Sequence, residues 1–533
     1  MRTKITHKFL FLISLALTLT SCSGFLEEAS QDKDYIRSWT DLDELLKGDC
    51  YLRAENHGEF TSHNNMGMFL HLLADEIEEH NAGGSEASCK SDQHQYMFGV
   101  MSWASRMGAS QDNTQFFSEN REWTQVYKRI NIANNVIEAA KTVPQTNDEE
   151  SNGTHKVLAE AYFLRAYFYF WLTNIFANPY NPATAADELG VPLKISTEIQ
   201  DIMFTRNTLK ECYDQILADL LAAEEHMEQV KDFSRKNIYT ANLESIQLLL
   251  SRVYLYVQDW QKAKEYSQKV IASHPAIENL RTTKNAFMVK SNPENIFSMG
   301  GCDLMRMIAT DYQSVRVALN FYNSYHKDDL RKQQWFWNYT MFTGLTMAPA
   351  PKKEYEPTDS YYYQGNYSLP CTSERNETSS LFWLRSGEAY LNLAEAEAYL
   401  GNEEASKATL LQLMQNRYAE GAADLKLEET GDEYIARLRE ERKYELACQG
   451  HRWFDLRRYR VCQAAPSKVA LQHVWTVYRD NSTGNILETR LYKLNEEDTG
   501  WTVNIPHEVL EFNVGMPGNG NLDREYQVIP YQP

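Results

Sequence analysis

Residues 156–176 read KVLAEAYFLRAYFYFWLTNIF, and this stretch restricts the fold more than any other. Aromatic and aliphatic side chains recur all the way round the 3.6-residue turn, so a helix made from them has no broad polar face to leave in water. It has to be covered on more than one side, which calls for several packed helices rather than one amphipathic layer. Other segments supply those partners. Residues 121–142 place Trp123, Val126, Tyr127, Ile130, Ala133, Val136 and Ile137 on one stripe; 208–230 and 241–273 continue the pattern, and 381–419 and 432–459 resume it. The expected fold class is mainly α, with an interruption between its halves.

Two of these segments read as helical hairpins of the tetratricopeptide kind. In residues 248–275, Tyr254 belongs to the first helix, Asp259-Trp260 to the turn, and Ala263, Tyr266 and Val270 to the second, with Pro275 as terminator. Residues 386–417 repeat the design, with Gly401-Asn402 turning the chain and Ala405 allowing close helix approach. Such units cannot bury their faces alone and are expected to stack. Between them, residues 276–380 carry loop punctuation and dense aromatics, including Trp335, Trp337 and Tyr361. A long irregular insertion on a rigid scaffold is where function tends to concentrate. A second loop-rich stretch, 77–120, holds Trp103 and Arg106, and 475–494 alternates around Asp480 to Asn485 like a β-hairpin with minor β content.

The N-terminus carries an address. Arg2, Lys4 and Lys8 precede an apolar run, Phe9 to Leu19, that is too short to span a bilayer. Leu19-Thr20-Ser21-Cys22 then resembles a bacterial lipobox. The resemblance implies removal of residues 1–21 as a signal peptide and lipidation of Cys22, anchoring the chain to a membrane; an ordinary secretory signal is the alternative. Removing 1–21 takes away three of the 53 Lys+Arg and none of the 73 Asp+Glu, leaving 50 against 73 and a net charge of −23. Such a surface repels phosphate backbones, so nucleic-acid binding is not expected. Cys50, Cys89, Cys212, Cys302, Cys371, Cys448 and Cys462 are odd in number and scattered, which suits small buried side chains rather than a disulfide framework. The mature chain is expected to be one domain, 22–533. Its scaffold covers about 22–275 and 381–460, its loop-rich insertion about 276–380, and its C-terminal segment about 461–533.

Catalytic and cofactor patterns are sparse. The sequence has no GxSxG, no HExxH, no phosphate-binding glycine loop and no dinucleotide fingerprint, and His71 and His80 lack metal-ligand spacing. No enzyme activity, cofactor or metal is expected. Asp75-Glu76 supplies carboxylates of the type used in glycoside hydrolysis, which leaves a hydrolase as a minor alternative. The aromatic loops favour binding: a flat indole or phenol ring buries area against a sugar's C–H face while nearby polar groups meet its hydroxyls.

Residues 441–460, ERKYELACQGHRWFDLRRYR, place Arg442 and Glu445 on the stripe occupied by Ile435 and Leu438. Arg452 and Asp455 repeat the three-residue spacing in the next short segment. Charges on an apolar stripe must be paired. The cluster is therefore expected to be an internal clasp, its pairs formed at i, i+3.

These pieces together resemble the SusD/RagB family of nutrient-binding outer-membrane lipoproteins of Bacteroidota. The resemblance runs in order through Leu45-Leu46-Lys47-Gly48, Leu73-Ala74-Asp75-Glu76, Trp123, Tyr127, Ile130 and Asn134, Leu164-Arg165-Ala166, Gly190-Val191-Pro192-Leu193, Arg252-Val253-Tyr254-Leu255 and Glu388-Ala389-Tyr390-Leu391. It ends on Glu441-Arg442, Gly450, Arg452 and Asp455-Leu456, and departs at Gln449 and after Ile505-Pro506. It implies a tetratricopeptide-like scaffold carrying an irregular ligand face on the cell surface. It also implies an oligosaccharide ligand and a partner, a SusC-like TonB-dependent transporter; extended peptides are the ligands in another branch. For the site it points to Trp103, Trp335, Trp337 and Tyr361, with Asp75 and Arg106 as polar contacts.

Overall fold

The computed structural model describes residues 36–52, 66–67, 69–80, 92–112, 116–198, 200–231, 237–283, 287–299, 315–339, 342–345, 378–478 and 486–530. Helices α1 (Arg121–Ala139), α2 (Asp148–Phe176) and α3 (Leu209–Gln229) pack side by side, and α2 contains the aromatic stretch. Asn147 starts α2 by accepting the Glu150 N–H, and Asp148, Glu149 and Glu150 suit its positive end. From Phe163 to Phe176 every side chain of α2 is buried, as its composition requires.

Two helical hairpins follow: α4 (Leu243–Tyr256) with α5 (Trp260–Ser273), and α6 (Ser386–Tyr399) with α7 (Glu403–Met414). Asn242 and Ser245 form a capping box at the start of α4, and Asp259 caps α5 by accepting the Lys262 N–H. Ala263, Tyr266 and Val270 are buried in α5, so the hairpin reading holds there. In the second hairpin the close approach is made one residue later than expected. Ala405 is exposed, while buried Ser406 donates to the Ala394 carbonyl at 2.6 Å. Helices α8 (Gly431–Glu445) and α9 (Arg452–Arg460) complete this half, and α10 (His507–Phe512) lies near the C-terminus.

Short antiparallel sheets join the halves. Strands β1 (Ile77–Glu79) and β3 (Val315–Val317) pair, β2 (Asn295–Met299) pairs with β6 (Phe382–Arg385), and β4 (Phe336–Tyr339) with β5 (Phe342–Leu345). The expected hairpin is β7 (Leu471–Tyr478) and β8 (Ile486–Leu494), to which β9 (Tyr526–Ile529) adds a third strand; residues 479–485 between them lie outside the described ones. In the described part of the insertion Phe321, Tyr325, Trp335 and Phe336 are buried and Tyr322 is half-buried. Among the described residues helix accounts for 49% and strand for 11%, a mainly α fold with small sheets. Among the described residues no helix is long and apolar enough to cross a membrane.

Candidate functional site

The expected ligand face begins where the short helix Leu70–Leu73 ends and the chain turns through Ala74, Asp75 and Glu76 into β1. Pairing of β1 with β3, and the Ala318 N–H donating to the Glu76 carbonyl at 2.8 Å, join this turn to the insertion. Asp75 meets Arg452 in a bidentate ion pair, Nε and Nη2 each 2.7 Å from a carboxylate oxygen. Burial works against its charge, but the Arg452 guanidinium outweighs burial and holds Asp75 below the usual carboxylate range. Its side chain keeps 39% exposure. Glu76, almost fully buried, accepts the Cys448 N–H at 2.8 Å, and burial pushes its carboxyl up to about 8.

Adjacent carboxyls shifted in opposite directions resemble an acid and nucleophile pair. The surroundings do not support that use. Glu76 is sealed against the backbone of residue 448, and Asp75 is committed to a guanidinium.

Trp103 is not an open platform. It has a positive φ of 48°, is 3% exposed, and donates its Nε1–H to the Leu73 carbonyl at 3.1 Å. Its ring stacks on His473 at 4.3 Å, and Arg524 donates to its carbonyl, so both the ring and the backbone are used to fix the loop. Trp335, fully buried, packs at 4.7 Å from the Phe287 ring. A dense aromatic insertion on a chain of this size has more ring area than a ligand face can use, and these two rings went to the core. Arg106 holds Glu119 through Nε at 3.1 Å and lies 4.0 Å over the Phe116 ring, with its side chain 29% exposed. The backbone of Trp337 lies in β4 opposite Gly344, its side chain being outside the described residues, as is all of Tyr361.

The clasp is present with different partners. Arg442 does not meet Glu445, nor Arg452 meet Asp455. Instead Arg442 Nε donates to Asp455 at 2.9 Å and its Nη1 to Asn392 at 2.7 Å; Arg458 shares Asp455 at 2.8 Å and grips Glu395 at 2.7 Å. Glu445 accepts from Arg417 at 2.8 Å, Arg385 at 2.7 Å and Arg331 at 3.0 Å. Arg331 continues to Asp329 and Glu441, Arg385 and Arg417 to Glu294, and Arg437 to Glu441. Four arginines thus face four carboxylates, all buried. Burial alone would protonate Glu445, but Arg417 and then Arg385 reverse this and keep it ionised well below its ordinary range. Arg331, Arg385 and Arg417 were not foreseen, because they stand 114, 60 and 28 residues away from Glu445 and no local spacing announces them.

Two family descriptions match the chain. Residues 54–255 match a SusD-like family described as starch-binding and associating with the outer membrane, and residues 302–519 match the SusD family. Between them they take in well over half of the sequence. The chain belongs to the SusD/RagB family. A SusD-like protein P2 of Formosa agariphila is 28% identical over 382 residues, covering 64% of this chain and 71% of the relative. Among solved structures, a SusD superfamily protein of Bacteroides thetaiotaomicron superposes with a TM-score of 0.65 at 20% identity, covering 91% of this chain and 100% of its own. A putative sugar binding protein of Bacteroides vulgatus gives 0.67 at 18% identity, covering 92% and 99%. At these identities the structures speak to the SusD-like fold, including the helical scaffold and its small sheets.

Proposed function

We propose that this SusD-like chain binds oligosaccharides at the cell surface, held to the outer membrane by lipid on Cys22, and delivers them to a SusC-like TonB-dependent transporter without making or breaking a bond. The observation that carries this reading is the match of residues 54–255 to a family described as starch-binding and outer-membrane associated. The lipobox-like Leu19-Thr20-Ser21-Cys22 supports the anchor. The structural neighbour named a putative sugar binding protein agrees with the ligand class. In this reading the rings that touch sugar are those of Trp337 and Tyr361, while the buried Trp103 and Trp335 serve packing against His473 and Phe287. Asp75, with its partly exposed carboxylate preset by Arg452, and Arg106 are the polar contacts.

The experiment uses the mature chain with separate pools of soluble oligosaccharides and extended peptides, and follows thermal or denaturant unfolding. A ligand present at 100 times its Kd adds about 2.7 kcal/mol. Stabilisation is expected from a glycan, without release of reducing ends, and is expected to shrink in Trp337→Ala. Stabilisation by peptides alone would transfer the protein to the peptide-handling branch, and glycan cleavage abolished by Asp75→Asn would make it an enzyme. Cys22→Ala is expected to move the chain out of the membrane fraction.

A further inference from the structure

The N-terminal turns of α1, the residues Pro192, Lys194 and Phe204, and α10 enclose a groove of about 470 Å³ that Asp75 does not line. Its size falls in the roughly 300–1,000 Å³ range of sites for small organic ligands. Trp123, Tyr127, Phe204 and Phe512 line it, with Glu508 and Asn513 among the polar groups. The walls are fixed before any ligand arrives. Tyr127 donates its hydroxyl to the Pro192 carbonyl at 2.7 Å, and the Phe204 N–H donates to Asn513 Oδ1 at 3.1 Å. Trp123 is braced edge-on by Phe176 at 5.3 Å. Preset walls lower the ordering cost of binding.

Two features of the groove remain unaccounted for by folding. The Phe512 ring is left 74% exposed at the rim, an arrangement that gains nothing for the isolated chain. Glu508 accepts the Glu119 N–H through Oε1 at 3.1 Å, while its Oε2 is buried without a hydrogen-bond partner among the described residues. A carboxylate oxygen in that position calls for a donor. Flat rings beside an acceptor short of a proton suit a saccharide, whose C–H face covers the rings and whose hydroxyl donates. Lys194 also lines the groove, its Nζ donating to Ser196 Oγ at 3.0 Å, so the polar rim carries both signs of charge and the rings set the ligand class.

We propose that this groove is a second glycan site, taking a short run of sugar rings against Phe512 and Trp123 with a hydroxyl donated to Glu508. The inference rests on the glycan-binding reading above, and the test separates the two. Calorimetric titration of the mature chain uses maltoheptaose, laminarihexaose and xylohexaose, with Phe512→Ala, Glu508→Gln and Trp337→Ala alongside the parent. Glu508→Gln keeps the acceptor for the Glu119 N–H, and melting curves confirm that each variant is folded. Two sites are expected for at least one saccharide. Phe512→Ala and Glu508→Gln should each weaken the same one at least tenfold, and Trp337→Ala should leave that one unchanged. A single glycan site indifferent to both groove variants would overturn the groove and leave the function standing. Absence of binding by all three sugars would overturn the groove, and the function falls separately only if the wider pools also fail. Groove variants that lose a protein partner with unchanged glycan isotherms would also overturn it, reassigning the surface to protein docking.

Discussion

Glu445 holds three buried guanidinium groups, and Arg442, only three positions earlier, belongs to a different set of partners. Removing one member of a buried pair costs about 3 to 5 kcal/mol because its partner stays behind uncompensated. Glu445→Ala strands positive charge in the interior and is expected to lose at least that much in urea unfolding. Arg442→Ala leaves Asp455 its contact with Arg458 at 2.8 Å, and is expected to lose less and to bind ligand as the parent does. Equal losses would mean that the two sets act as one. Glu76 gives the opposite kind of pH dependence. Its folded carboxyl titrates at about 8 instead of 4.5, so the folded state keeps a proton that the unfolded chain releases. The stability this supplies is full below pH 4.5 and is lost as pH rises through 8, at up to about 1.4 kcal/mol per pH unit. Glu76→Gln cannot ionise yet keeps an oxygen for the Cys448 N–H. Its unfolding free energy should therefore lack this slope between pH 5 and 8, and a slope like the parent's would show that another group carries it.

At the scale of elements, most of the scaffold was legible because helices declare themselves over short distances. The positions of α1 and α3 and the α4–α5 hairpin follow from periodicity over a few turns, whereas α2 begins at Asp148, eight residues before the aromatic stretch that announced it, because its first two turns are polar. Errors arose where a signal was ambiguous in phase or type. Ser406 rather than Ala405 meets α6, a slip of one position in a 3.6-residue repeat. Phe382–Arg385 reads as the start of a helix yet forms β6, since a short apolar run alone does not distinguish the two. One contact between elements is sharp enough to test. Gly153 in α2 faces the short helix Trp39–Leu45, and a Cβ there would lie 2.1 Å from the Trp39 indole. Alanine suits α2 itself, so the strain should fall on the smaller element. Gly153→Ala is expected to cost about 1 to 3 kcal/mol by overpacking. Hydrogen exchange should quicken over 40–50 while 160–175 stays protected, and protection unchanged in both would show that Trp39 simply rotates away.

For the whole molecule, family and architecture could be read from the order of many weak motifs, whereas the ligand face could not be read from aromatic density. Whether a ring such as Trp103 or Trp335 lies on the surface or in the core depends on partners far away in sequence, His473 and Phe287 here. The same distant packing sets the response to acid. Asp75, Glu388, Glu395, Glu445 and Asp455 are held below their ordinary ranges by arginines that outweigh their burial. Their stabilisation is present above the unfolded carboxylate range and fades only as pH falls below about 4. Buried histidines act earlier. Burial lowers His71 from 6.5 to about 3, and lowers His451 as well. The folded chain then refuses protons that the unfolded chain takes up below 6.5, so stability falls as pH drops from 6.5 toward 3. Both ring nitrogens of His71 lack a hydrogen-bond partner among the described residues, and its neighbours Leu70, Leu72 and Leu73 are buried apolar side chains. Replacing such a group by an apolar one of similar size is close to neutral. His71→Leu should therefore match the parent within about 1 kcal/mol at pH 8. At pH 5 it should be the more stable by about 2 kcal/mol, the free energy of 1.5 pH units of withheld protonation. Equal differences at the two pH values would mean that His71 takes up its proton in the folded state.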